Sequence, residues 1–161
     1  MQRPLRKLAI AALAVASIVL ATAAPSGATP STAVAGSAVP TSQALTARTA
    51  DGNVIIAGSG THAWTGGLTG TSVIDVHFVL HPSGNLTYQA FLTFTGTTPC
   101  GTGTVLFVSS GSGSLPGPIT GQATTIDKAD ASVPLHAELD VVLFLTPSGA
   151  FVTYSGDVHC A

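Results

Sequence analysis

The chain has 161 residues, a formal net charge of −2 and only 7% charged residues. Three of its five Lys and Arg residues lie at the extreme N-terminus, and only Arg48 and Lys128 follow them. Nucleic-acid binding requires clustered basic residues, so this composition excludes that class of function.

Residues 1–23 have the pattern of a cleavable signal peptide. Arg3, Arg6 and Lys7 form a positively charged start, and the apolar run 8–20 is followed by the small residues of Ala21-Thr22-Ala23. The alternative is an uncleaved anchor, but a membrane-spanning helix requires about 20 apolar residues. We therefore predict a secreted, extracellular protein without stable membrane insertion after cleavage.

Residues 24–50 contain mostly Ala, Pro, Ser and Thr. Such a segment has few large apolar side chains to bury, and it is typical of a disordered spacer. The remaining residues, 51–161, have the size of one small domain. The sequence therefore predicts a single folded domain that begins at residue 51.

Alternation of apolar and polar residues, interrupted by Gly, Pro, Ser and Thr, predicts β-strands in this domain. The apolar positions of two consecutive runs are Ile74, Val76, Phe78 and Leu80, then Leu86, Tyr88, Ala90, Leu92 and Phe94. Pro82-Ser83-Gly84 between them has the residues of a hairpin turn. Further short strands are predicted near 54–57, 62–65 and 123–126. The prediction is an all-β fold, a small antiparallel β-barrel of about eight short strands, with a β-sandwich as the alternative.

The two cysteines, Cys100 and Cys160, are predicted to form a disulfide. An even number of cysteines in an exported chain favours pairing. A reactive thiol pair is the alternative, but neither cysteine lies in a CxxC motif or beside a Lys.

A glycine pattern extends through the middle of the domain. It consists of Gly66-x-Leu68-x-Gly70, Phe94-Thr95-Gly96, Gly101-x-Gly103-x-x-x-Phe107 and Gly111-Ser-Gly113-x-Leu115-x-Gly117-x-x-x-Gly121. This pattern resembles a family of small, mostly actinobacterial secreted proteins of unknown function with an allene-oxide-cyclase-like barrel. The resemblance implies a barrel and implies no reaction, since fold does not specify function.

No catalytic, cofactor-binding or metal-binding residues are predicted. The histidines are His62, His77, His81, His136 and His159. His77 and His81 would share one strand face about 13 Å apart, too far to bind one ion directly. The pairs Asp75–His77 and Glu138–Asp140 could serve general acid–base chemistry, but both are predicted to face solvent and not to be catalytic.

The function predicted from these observations is an exported β-barrel of unknown role, without enzymatic activity, that binds a small apolar ligand or a partner. Phe91 and Phe144 fall on the less apolar faces of their strands, which suggests a contact surface for a ligand or for self-association. The alternative is a barrel enzyme of the cyclase or isomerase type acting on a small apolar substrate. A lumen with room for a substrate and an inward-facing polar residue would favour the enzyme.

Overall fold

The structure, a computed structural model, describes residues 30–127, 130–146 and 149–160. The predicted signal peptide, residues 1–23, lies outside these ranges. Within them, all regular structure is β, and no helix has the length and hydropathy needed to cross a membrane. The strands are β1 (Thr32–Ala50), β2 (Asn53–Gly66), β3 (Thr69–Leu80), β4 (Asn85–Thr98), β5 (Gly101–Ser114), β6 (Ile119–Thr125), β7 (Leu135–Thr146) and β8 (Gly149–Cys160).

The eight strands form a closed antiparallel barrel in which each strand pairs with its neighbours in sequence and β8 pairs with β1. This confirms the predicted β-barrel over the sandwich. Closure pairs strand edges that would otherwise be exposed. The strands are longer than predicted, with lengths from 7 to 19 residues, because the Gly-, Ser- and Thr-rich segments assigned to turns continue the strands.

The prediction of a disordered spacer over residues 24–50 is wrong for its larger part. Residues 32–50 form β1, in which residues 32–38 pair with β8 and residues 36–50 pair with β2. Backbone hydrogen bonds on two edges stabilise this strand, and its buried inward side chains include only Val34 and Ala38. The barrel therefore includes β1, and the boundary predicted at residue 51 falls inside the domain.

The segments predicted as two strands near 54–57 and 62–65 form one strand, β2. Gly58 and Gly60 separate the two apolar runs and suggested a break between them. In the structure they continue the pairing with both β1 and β3. The predicted number of strands was nevertheless correct, because this division of β2 compensated for the missed β1.

The predicted faces of β3 and β4 are confirmed. In β3, Phe78 is buried inside the barrel while Asp75 and His77 are exposed. In β4, every second residue from Leu86 to Phe94 faces inward. Period-two alternation therefore predicted the inner and outer walls of this part of the barrel.

Glycines lie opposite one another on neighbouring strands and allow aromatic rings to lie close to the wall. In-register pairs are Gly36–Gly66, Gly70–Gly96 and Gly111–Gly121. A Cβ on Gly121 would clash with the Tyr88 hydroxyl oxygen, and one on Gly111 would lie 2.7 Å from the Tyr88 ring. Glycine at such positions permits close approach in a tightly curved sheet.

One end of the barrel, here called the plugged end, contains the β2–β3, β4–β5 and β6–β7 connections. Leu68 from the first and Val133 from the last are buried there. The Tyr154 hydroxyl accepts a hydrogen bond of 2.8 Å from the Leu68 amide and lies 3.1 Å from the Thr65 and Leu68 carbonyl oxygens, to which it can donate. These contacts fix the β2–β3 connection across the end of the lumen.

Cys100 and Cys160 also lie at the plugged end. Their Cα atoms are 5.3 Å apart and their Sγ atoms 2.03 Å apart, the geometry of a disulfide. Cys100 precedes β5 and Cys160 ends β8, so the bond joins parts of the barrel wall that do not pair with each other.

Candidate functional site: the barrel lumen

The middle of the barrel contains a cavity of about 290 Å³. It exists because small residues occupy inward positions on several strands: Ala38, Gly60, Ala90, Ala123 and Ala150. Larger apolar side chains, among them Phe107 and Leu143, complete the wall. The volume is close to the lower limit for small-molecule sites.

The cavity opens at the end of the barrel opposite the plugged end. Pairing between β1 and β8 stops at Ala38 and Val152, and β1 has an irregularity between Pro40 and Ser42. Beyond this point β1 pairs only with β2, and the Gln43 side chain lies against Gly149 of β8. The residues at this mouth are exposed, namely Gln43, Leu45, Leu145 and Thr146.

Trp64 lies at the inner part of the cavity wall. Its ring stacks on Phe107 with centroids 6.4 Å apart and meets Phe94 edge-on at 5.6 Å. Its indole N–H donates a hydrogen bond of 2.9 Å to Ser72 Oγ. Phe94 is fully buried and does not line the cavity. Trp64 is the only tryptophan of the chain, so its fluorescence can report on the lumen.

A hydrogen-bonded chain lies on the β4–β5 side of the lumen. Ser109 Oγ donates to the Gln122 carbonyl oxygen at 3.0 Å, so the Tyr88 hydroxyl must donate its proton to Ser109 across 2.9 Å. Burial raises the pKa of Tyr88, and the bond to Ser109 offsets part of this change. Tyr88 is therefore a neutral, hydrogen-bonded phenol at neutral pH.

His62 lies on the inner face of β2 and has no hydrogen-bond partner at either ring nitrogen. Its side chain is 4% exposed and lines the cavity. Burial lowers the pKa of His62; the nearby Ala150 backbone offsets part of this effect but does not make a well-oriented hydrogen bond. An unpartnered buried polar group is costly, and in a native protein it often marks a functional position.

We expect the stability of the protein to fall on acidification through His62. The folded state lowers the pKa of His62 below its ordinary value of 6.5, so the unfolded chain binds a proton more readily. The contribution of His62 to the free energy of unfolding is complete above about pH 6.5 and is lost as the pH falls towards the folded-state pKa. Thermal unfolding of wild type and His62→Leu from pH 7.5 to about 5 should show a smaller pH dependence in the variant.

His77→Leu is the matched control for this measurement, because His77 lies on the outer face of β3. The thermal stability of this variant should change with pH as that of the wild type does. An equal change of unfolding temperature with pH in wild type and His62→Leu would contradict the prediction.

The other residues considered from the sequence do not converge on the lumen. Asp75, His77, Glu138 and Asp140 are exposed on the outer wall, as predicted. The expectation that His81 shares the strand face of His77 is wrong: His81 follows the end of β3, is half-buried and has its Nδ1 2.9 Å from Asn53 Oδ1.

The outward positions predicted for Phe91 and Phe144 are confirmed, with exposures of 51% and 43%. Phe144 contacts Phe151 on the neighbouring strand at a centroid distance of 6.3 Å. Their role in self-association stays a prediction. Over the described ranges, no three His, Cys, Asp or Glu residues cluster as metal ligands would.

No protein-family model matches the chain, and no curated protein matches it. The resemblance of the glycine pattern to the actinobacterial family therefore stays a prediction, although the barrel it implied is the observed fold.

The position of His62 in the lumen was not predicted, although the sequence contains a signal for it. Trp64 is a large aromatic residue of the kind that fills a core, and a residue two positions away on a strand faces the same side. Division of β2 into two short strands concealed this alternation, in which Gly58, Gly60, His62 and Trp64 share one face.

Proposed function

We propose that the protein binds a small, largely apolar molecule in the lumen of its barrel. The observation that supports this most directly is the cavity of about 290 Å³, closed at the plugged end and open at the other. A cavity of about 150 Å³ accommodates benzene, so this one suits a ligand of about twelve non-hydrogen atoms. Burial of apolar ligand surface against the aliphatic and aromatic wall would drive binding.

This function belongs to an extracellular protein in our proposal. The cysteine pair at disulfide geometry supports this location, because such bonds persist in oxidising compartments. The predicted signal peptide, residues 1–23, supports it from the sequence.

We expect n-butylbenzene to bind and to change the fluorescence of Trp64. At roughly 0.7 kcal/mol per non-hydrogen atom, such a ligand would bind with a dissociation constant of about 10 μM. Excitation at wavelengths that the phenyl ring does not absorb makes Trp64 the reporter. Isothermal titration calorimetry provides an independent measurement.

A pair of adjacent substitutions tests whether binding occurs in the lumen. Ala90→Leu adds bulk to the cavity wall, whereas Gln89→Leu adds the same residue type on the outer face of β4. We expect Ala90→Leu to weaken butylbenzene binding about tenfold or more, and Gln89→Leu to bind as the wild type does. Equal affinities for the two variants, or no binding by the wild type, would contradict the proposed function.

A second function, a cyclase or isomerase acting on a small apolar substrate, is supported by one observation. His62 is an ionisable group inside an apolar lumen, where a neutral imidazole can accept a proton from a bound molecule. Mass spectrometry of ligands extracted after incubation with a library of small apolar compounds distinguishes the two functions. Unchanged ligands indicate a binding protein, and products that are absent with His62→Leu indicate an enzyme.

A further inference from the structure

The hydrogen-bonding state of His62 differs from that of the other buried polar side chains around the lumen. Tyr88, Ser109 and Ser72 all have protein partners. Among the residues the structure describes, the buried side-chain polar atoms without a partner are Nδ1 and Nε2 of His62. This ring lies in the wall of a cavity large enough for a ligand, so a bound molecule can supply the missing hydrogen bond.

The chemistry of a neutral imidazole limits what that partner can be. One ring nitrogen carries a proton and donates, and the other has a lone pair and accepts. A hydroxyl group can either accept from the N–H or donate to the bare nitrogen, so it suits both tautomers. A hydrocarbon satisfies neither nitrogen, and a ketone can interact only with the N–H.

The lumen offers no charge to stabilise an ionised ligand. The polar residues among those lining the cavity are Gln43, Ser59, His62, Tyr88, Ser109 and Thr146. No Asp, Glu, Lys or Arg of the described ranges lines it. A carboxylate or an ammonium group would lose its hydration without gaining a charged partner, which is strongly unfavourable.

We infer that the lumen selects an uncharged ligand with an apolar body and one hydroxyl group, which makes a hydrogen bond with His62. The inference rests on the proposed function, since it specifies the class of molecule that the same cavity takes. It assigns to His62 a role in specificity, whereas the apolar wall supplies most of the affinity.

Three probes that each carry a phenyl ring on a short alkyl chain test this inference. They are n-butylbenzene, hydrocinnamyl alcohol and hydrocinnamate, which end in a methyl, a hydroxyl and a carboxylate group. The first two have the same number of non-hydrogen atoms. Affinities of all three are measured by Trp64 fluorescence and calorimetry at neutral pH for wild type, His62→Leu and His77→Leu.

The decisive quantity is the ratio of alcohol affinity to hydrocarbon affinity. We expect this ratio to fall about tenfold in His62→Leu, because the alcohol loses its partner while the hydrocarbon does not. His77→Leu, altered on the outer wall, should keep the wild-type ratio. Hydrocinnamate should bind the wild type about tenfold or more weakly than the alcohol does.

The outcomes separate the inference from the proposed function. Retained hydrocarbon binding by His62→Leu shows that the variant has an intact lumen, so a lower ratio then supports the inference. An unchanged ratio, or carboxylate binding as tight as alcohol binding, overturns the inference and leaves the lumen as an apolar site. Absence of binding by every probe to the wild type overturns the proposed function and the inference with it.

Discussion

Phe94→Ala should lower the free energy of unfolding by about 3–5 kcal/mol, the usual cost of removing a fully buried phenylalanine ring. Phe94 is 0% exposed and packs edge-on against Trp64 at 5.6 Å. The substitution leaves a void directly behind the cavity wall. Urea unfolding followed by circular dichroism measures the loss without depending on the altered surroundings of Trp64.

The same strand provides the control for this experiment. Phe91 lies three residues earlier on β4, faces outward and is 51% exposed. Phe91→Ala should change the free energy of unfolding by about 0.5 kcal/mol or less, as expected for a surface position. Comparable losses for the two substitutions would contradict the assignment of inner and outer faces.

Replacement of both cysteines by serine should cost about 4 kcal/mol, similar to the effect of Phe94→Ala. The bond joins residues 60 apart in sequence. Without it, the unfolded chain gains conformational entropy, which lowers the free energy of unfolding by about 4 kcal/mol. The bond also ties the β4–β5 connection to the end of β8, which backbone pairing does not do. Urea unfolding of Cys100→Ser/Cys160→Ser provides the measurement.

The single variants control for effects of the serines themselves. Cys100→Ser and Cys160→Ser break the same bond, so each should lose about as much stability as the double variant under conditions that prevent intermolecular disulfides. A loss below about 1 kcal/mol in the double variant would show that the barrel does not depend on this constraint.

The two ends of the lumen have different roles. Near the plugged end, large side chains such as Phe94 and Leu139 fill the space and contribute to stability. Towards the open end, alanines and glycines leave the space for a ligand. The glycines opposite Tyr88 contribute to this space, because they let its ring lie close to the wall instead of extending into the lumen.

Several features of this protein followed from local pattern. Alternation placed Phe78 and Phe94 inside the barrel and Phe91 outside, because successive side chains of a strand point to opposite faces. The two cysteines, together with the predicted export signal, predicted the observed pairing. Frequent glycines and turn residues, without a helical period, predicted an all-β fold.

Long-range strand pairing determined the features that the local pattern did not predict. β1 has an unremarkable, Ala- and Thr-rich sequence, and its extended state depends on hydrogen bonds with β2 and β8. The cavity depends on which small residues meet across the closed barrel, and the environment of His62 depends on the point at which β1 and β8 separate. Such contacts join residues far apart in sequence, so a local pattern of apolar and polar residues carries little information about them.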